Sequence, residues 1–338
     1  MGRTARIGDL RPLPPTDRST RRWNRSPTGP PIQEVDIMPR TVTVGLDGSP
    51  ESLAAAEWAA REARLRGLPV RLVNVWEPAP DPLAQAPLLG AETHQHWSER
   101  IPREAAEGVR ARHPGVEVGT QQLTGRPAEA LLKAVDDAEL LVLGTRGLSG
   151  AGGFMVGSVG LAVAAHAERP VVFVRAGEQA ADEHVADPTG IPSAVAPFRP
   201  VVLGLDTGAP DDSLIGFAFE AALLRDTALR VVHSWNEPPY IAYGLPPDLK
   251  MNARLAAEDA SAMTVALRTW REKYPTVEII EDSLSGKPAN HLVDASREAS
   301  LVVVGRKIRH AALGAHIGPV THAVLHHATA PVAVVPHS

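Results

Sequence analysis

LTGRPAEALLKAVDDAELLVLG at residues 123–144 is written a second time, in altered letters, as LSGKPANHLVDASREASLVVVG at 284–305. Each version holds a Gly-Arg/Lys-Pro turn, an amphipathic stretch, and a run of Val and Leu closed by glycine. Outward from this pair, TVTVGLDGSP (41–50) answers VVLGLDTGAP (201–210), which sets Asp47 opposite Asp206. Twenty-nine residues after each aspartate comes a tryptophan, Trp76 in VRLVNVW and Trp235 in LRVVHSW. AHAERPVVFV (165–174) answers HHATAPVAVV (326–335). The offset is 159 residues in the first blocks and 161 in the later ones, so the second copy carries two extra residues in mid-domain. Four blocks matched in order make a tandem duplication.

Within each copy, short apolar runs alternate with longer helical patterns. In the first copy strands are expected at about 41–46, 70–76, 116–123, 139–144 and 170–175, with helices at about 50–66, 91–112, 127–137 and 157–167. Runs apolar throughout, such as LLVLG and VVFV, suit strands buried on both faces of a parallel sheet. Ser49-Pro50 and Arg126-Pro127 with Glu129 are helix-start signals. The fold class is therefore α/β, a doubly wound parallel-sheet domain present twice. The expected division is a disordered extension at 1–40, a first domain at 41–175, a polar, proline-bearing linker at 176–199, and a second domain at 200–338. The extension is rich in Arg, Pro, Ser and Thr, and Met38 is an alternative expected start.

Composition narrows the function classes. A net charge of -5 and a pI near 6.2 argue against a general nucleic-acid binder. The chain has no cysteine, which excludes disulfides, thiol nucleophiles and thiolate metal sites and fits a reducing cytoplasm. No apolar stretch approaches the length of a membrane span.

The segment most suggestive of ligand binding is GTRGLSGAGGFMVGS (144–158), in which six of fifteen residues are glycine. It joins an expected strand end to an expected helix start. In open α/β sheets, ligands lie beyond the carboxyl ends of the strands, where the strand order reverses. Asp47 stands at that edge too. Gly144 and Gly147 allow close backbone approach, and Gly157-Ser158 present unpaired N–H groups and a hydroxyl at a helix start, a phosphate-type site. Asp47 suits a ribose hydroxyl, or a metal shared with phosphate.

The spacing G144-x2-G147-x9-G157-S158 resembles the ATP-binding pattern of universal stress proteins, and the resemblance takes in VGLDGSPES, the LTGRPAEAL block and the AHAERPVVFV ending. It covers about 41–175 and 200–337. It implies five strands per copy in the order 3-2-1-4-5, in an adenine nucleotide alpha hydrolase-like arrangement. It implies ATP, in company with Mg2+, as ligand: Asp47 and Gly144 at ribose, the backbone near Val75 at adenine, and Gly147, Gly157, Ser158 and Val159 at phosphates. Val75 rests on strand register alone. AMP or cyclic AMP would use most of the same groups. The role implied is regulation in stress adaptation, through protein partners the sequence does not name. Family members commonly dimerise through their last strands. Here VVFV (171–174) and VAVV (332–335) can pair inside one chain, with homodimerisation of whole chains a separate matter.

The second loop, GRKIRHAALGAHIGPV (305–320), departs from the pattern. Gly305 and Gly318 remain, but Ile308 replaces Gly147 and Pro319 replaces Ser158, removing a hydroxyl and a backbone N–H. Arg306, Lys307, Arg309 and His310 are expected to form a solvated basic surface or to fill the cleft themselves, and this copy is expected to be structural or to sense something else. His322 and His326 share a helix face but lack a third ligand at a recognisable spacing, so no metal site is expected. Trp76 and Trp235, at the end of the second strand of each copy, are expected to pack in the core, with stacking on a base the alternative. The proline-rich turns at 76–93 and 235–249 are candidate lids. GxxxxGK[ST] and G-x-S-x-G are absent, and no general base is fixed by the motif. No catalytic residue is assigned; slow ATP hydrolysis and a non-binding scaffold stay open beside ATP binding.

Overall fold

The Val and Leu runs become the inner strands of a single sheet. A computed structural model describes residues 40–77, 91–148, 153–186, 191, 193–236, 248–308 and 317–338. In the first copy β1 (Thr41–Leu46), α1 (Pro50–Arg66), β2 (Val70–Trp76), α2 (Ala91–Arg112), β3 (Val118–Thr124), α3 (Pro127–Val135) and β4 (Ala138–Leu148) follow in turn. A short strand β5 (Gly153–Met155) comes next, then α4 (Ser158–His166) and β6 (Val171–Arg175). The second copy runs β7 (Val201–Gly204), α5 (Asp212–Leu224), β8 (Leu229–Trp235), α6 (Leu249–Lys273) and β9 (Ile279–Ser285). It closes with α7 (Pro288–Ala295), β10 (Leu301–Lys307), α8 (Pro319–His327) and β11 (Val332–His337). Nearly all of the expected extension and most of both proline-rich turns lie outside the described residues.

The strand order is β3-β2-β1-β4-β6-β11-β10-β7-β8-β9. Each copy thus contributes a parallel 3-2-1-4-5 sheet, as expected. The copies meet at β6 and β11, which pair antiparallel with Ala333 opposite Val172. The anticipated VVFV–VAVV pairing occurs, and it removes two sheet edges that would otherwise be open to other chains.

Burial on both faces explains the unbroken apolar runs. Along β4, Leu140 and Val142 face a core shared with α1, while Leu141 and Leu143 face a second core shared with α3 and α4. The repeated turn glycines have a conformational reason. Gly125 (φ 127) and Gly286 (φ 126) sit in the left-handed half of the map, and each donates its N–H at 3.0 Å, to Trp76 O and Trp235 O respectively. The tryptophans themselves are only half-buried and belong to neither core, against expectation. Among the described residues the fully buried indole is Trp58 on α1, 1% exposed.

Two local departures matter for function. The glycine-rich segment is not a simple strand-to-helix loop: β4 continues to Leu148, and Arg146–Leu148 pairs antiparallel with β5. A three-residue strand is too short to show a period. The segment between the copies is also more built than its composition suggests. It holds a 3-10 turn at Ala180–Glu183, capped by Asp182 on the Gln179 N–H at 2.9 Å, and the His184 ring lies 4.1 Å from that of Phe198. Glu183 is buried and pairs with Arg61 of α1.

Candidate functional site

At the carboxyl ends of β1 and β4, where the order of the first copy reverses, lies a cleft of ≈ 400 Å³. Its wall includes Asp47, Val75, Gly144, Gly157, Ser158 and Val159, so six of the seven residues expected at the site come together. The backbone of Gly147 pairs with Phe154 in the β4–β5 hairpin. Four further lining residues carry weight. Ser49 and Ser52 come from the start of α1, Leu131 from α3, and Arg146 from β4.

Asp47 is exposed and held in a fixed pose. Its Oδ1 accepts from the Ser49 N–H at 2.9 Å and from the Ser49 hydroxyl at 2.5 Å. Burial acts to raise its pKa, but the Ser49 and Ser52 hydrogen bonds outweigh burial and leave it below the ordinary aspartate value. Asp47 therefore stays a carboxylate, an acceptor suited to hydroxyl donors. Ser49 also caps α1, accepting the Ser52 N–H at 3.1 Å ahead of Pro50.

The start of α4 gives the same cleft an anion-type surface. Gly157 is the N-cap of α4, and no side chain caps that helix. The first N–H groups of α4 consequently face the cleft with the positive end of the helix dipole behind them. The guanidinium-bearing Arg146 stands on the same rim. A carboxylate together with uncapped helix N–H groups and a cation in one cleft matches a ligand that combines a polyol with an anion.

The glycines divide into two kinds. A Cβ on Gly144 would lie 2.4 Å from Glu51 C and 2.5 Å from Glu51 O, so this glycine admits the first turn of α1 against β4. Its absence of a side chain serves the protein's own packing first. A Cβ on Gly157 would meet nothing within 4 Å.

The second copy keeps a cleft of ≈ 460 Å³, lined among others by Asp206, His233, Gly305, Lys307 and His337. Pro319 is the first residue of α8, as expected, and withdraws one N–H from that helix start. Ile308 is not in the lining; its N–H donates to His337 O at 2.7 Å. Instead the His337 ring fills the space over Gly305, where a Cβ would come within 2.7 Å of Nε2. Arg306 is not on a solvated surface but 5% exposed, which corrects the expectation for that residue; Arg309 and His310 lie outside the described residues.

Sequence reasoning missed a structural pair, Asn74 and His233, at matching positions of β2 and β8. Asn74 donates to Leu46 O at 2.9 Å and His233 Nδ1 to Leu205 O at 2.8 Å, tying each second strand to the end of the first. His233 Nε2 also meets Asp259 at 3.0 Å. His322 and His326 have ring centroids 4.5 Å apart, and among the described residues no group of three His, Cys, Asp or Glu could hold a metal. Among the described residues no helix is long and apolar enough to cross a membrane.

The pattern of the Universal stress protein family matches residues 38–175 and 197–336. A universal stress protein of Mycobacterium tuberculosis is 30% identical over 311 residues, which span 88% of this chain and 97% of the relative. One of Mycolicibacterium smegmatis is 30% identical over 301 residues, 87% of this chain and 96% of the relative. A universal stress protein structure from Archaeoglobus fulgidus superposes with a TM-score of 0.63 at 16% identity, over 88% of this chain and 98% of that one, a likeness of fold. With both repeats matched and relatives similar over nearly their whole length, this chain belongs to the universal stress protein family.

Proposed function

We propose that the cleft of the first copy binds an adenine nucleotide, ATP in company with Mg2+, and that the chain acts as a regulatory protein of the stress response rather than as an efficient enzyme. The observation that carries this is the joint placement of the Asp47 carboxylate and the uncapped start of α4 in the lining of one cleft. Its volume falls in the range of small-molecule sites, about 300–1,000 Å³. Asp47 takes ribose hydroxyls with Gly144 beside it, the backbone near Val75 meets the base, and Gly157, Ser158 and Val159 receive phosphate. Gly147, at the turn into the β4–β5 hairpin, receives phosphate with them. Mg2+ would enter with the phosphates, since the cleft offers Asp47 and Glu51 as its carboxylates. Under this reading residues 41–175 form the nucleotide domain, 176–199 the link, and 200–338 a copy whose nucleotide motif has decayed.

Calorimetric titration of nucleotide-stripped protein with Mg-ATP, beside a Gly157→Glu variant, tests the reading. The added carboxylate meets no protein atom at its Cβ, so the variant folds and repels phosphate. Binding in the wild type that disappears in the variant supports the proposal. Equal binding in both, or none in either, refutes it. AMP and cyclic AMP titrated in parallel rank the phosphate requirement.

A further inference from the structure

The helix that carries the anion-type surface is held at its far end by the other copy. α4 begins at Ser158 beside the first cleft and reaches its C-cap at Ala167. The Ala167 carbonyl accepts a hydrogen bond from Nη2 of Arg306 on β10. Both partners are buried, Arg306 at 5% and Ala167 at 2% exposure. The chain neighbours of Arg306, Gly305 and Lys307, line the second cleft. One residue therefore has its backbone neighbours on the second cleft and its side chain on the far end of the helix that borders the first. A second contact runs the same way: α8 packs against β5, the strand lying between Gly147 and Gly157.

The arrangement is one-sided. Arg306 occupies the position that Thr145 holds in the first copy, and the Thr145 hydroxyl stays within its own copy on Val174 O at 3.4 Å. The second copy has lost Ser158's equivalent but has gained a buried cation aimed at the first copy. The last carbonyls of a helix carry partial negative charge, and a cation there complements the dipole whose positive end meets an anion. At 1.5 Å per residue, α4 sets the guanidinium about 14 Å from its first turn, through protein rather than solvent.

We propose that Arg306 is a positioning residue of the first cleft: through Ala167 it fixes the placement and field of α4, and it joins the anion-binding end of that helix to β10 of the second copy. The ligand in this statement rests on the nucleotide reading of the cleft; the clamp on α4 does not. An anion that pulls on the start of α4 is then felt at β10, and a change at the second cleft is returned to the first, as linkage requires.

The test uses the full-length chain. Arg306→Met keeps the aliphatic stem and removes the cation, and Arg306→Lys restores a charge. Affinities for ATP and adenosine are measured by calorimetry, and amide exchange across residues 161–167 is followed without ligand. In Arg306→Met, ATP affinity should fall about two- to fivefold while adenosine affinity holds, with most of the loss recovered in Arg306→Lys. Exchange in α4 should quicken while β1 and β2 exchange as in wild type. Unchanged ATP affinity overturns the proposal, and so does an equal loss for ATP and adenosine, which would make Arg306 a general support. Should the wild type bind neither ligand, the nucleotide reading fails by itself and exchange decides. Faster exchange confined to α4 upholds the clamp, and unchanged exchange overturns it.

Discussion

Arg225 Nη2 donates to Glu62 Oε2 at 2.6 Å, and the two side chains are 0% and 1% exposed. Glu62 belongs to α1 of the first copy and Arg225 closes α5 of the second. The other Glu62 oxygen takes Arg66 Nε at 2.7 Å, so one carboxylate serves two buried guanidinium groups across the junction of the copies. Burial alone would raise the Glu62 pKa, but the charges of Arg225 and Arg66 prevail and lower it. Removing the carboxylate takes away the ion-pair partner of the buried Arg225 and leaves Arg66 with the half-exposed Glu220 at 3.5 Å. Glu62→Gln should cost about 3–5 kcal/mol, and Glu62→Leu combined with Arg225→Met much less. Urea unfolding midpoints compare the two; equal losses would contradict this.

Stability should fall with rising pH through the link between the copies. Glu178 is 7% exposed, and burial, with Glu183 and Asp182 adding like charge, pushes its pKa up to about 8. The unfolded value is 4.5. A raised folded value means the stabilising contribution is complete below about pH 4.5 and is lost as pH climbs through about 8, with a slope of at most about 1.4 kcal/mol per pH unit from this group. Glu178→Gln should flatten that part of the profile and gain most over wild type above pH 8. Thermal midpoints at pH 5.5, 7 and 8.5 measure the difference between the two proteins, and parallel profiles would count against it.

The two glycines of the cleft should respond in opposite ways. Gly144→Ala drives a methyl into the Glu51 backbone, which cannot yield as a side chain would, and about 1–3 kcal/mol of stability should be lost. Gly157→Ala faces open space at a φ of -64, so its stability should stay within about 0.5 kcal/mol of wild type. Denaturant melts of the pair decide, and a large loss in Gly157→Ala would show that the start of α4 is more confined than its surroundings indicate.

One nucleotide per chain is expected. Pro319 withholds an N–H and the His337 ring fills the space over Gly305, so the second cleft offers phosphate less than the first. A calorimetric stoichiometry of two would contradict this, and His337→Ala tests whether the ring is the obstacle.

Much of the fold was legible because the duplication is a statement about the chain itself. LLVLG and LVVVG read as doubly buried strands, and Asp47, Gly157 and Ser158 could be placed at one sheet edge before any coordinates. What stayed hidden depends on partners remote in sequence. Arg306 looked like surface charge because the carbonyl it serves lies 139 residues away. Glu183 looked like linker polarity because Arg61, 122 residues back, neutralises it. Leu131 lies in a quoted block, yet the rotation that turns it toward the cleft is set by packing of α3 on the sheet. β5 escaped because glycine-rich sequence carries no strand period. His337, next to last in the chain, had no motif to announce it.

The antiparallel seam between β6 and β11 has an evolutionary consequence. Where two identical subunits meet across such a seam, every substitution is made twice, and association weakens on dilution. With both halves on one polypeptide, the seam closes at any protein concentration and its two sides mutate separately. Proline could enter one helix start without entering the other, and arginine could replace threonine on one side alone. A duplicated gene thus became a pair of unequal parts, free to assign holding a ligand to one half and steadying the hold to the other.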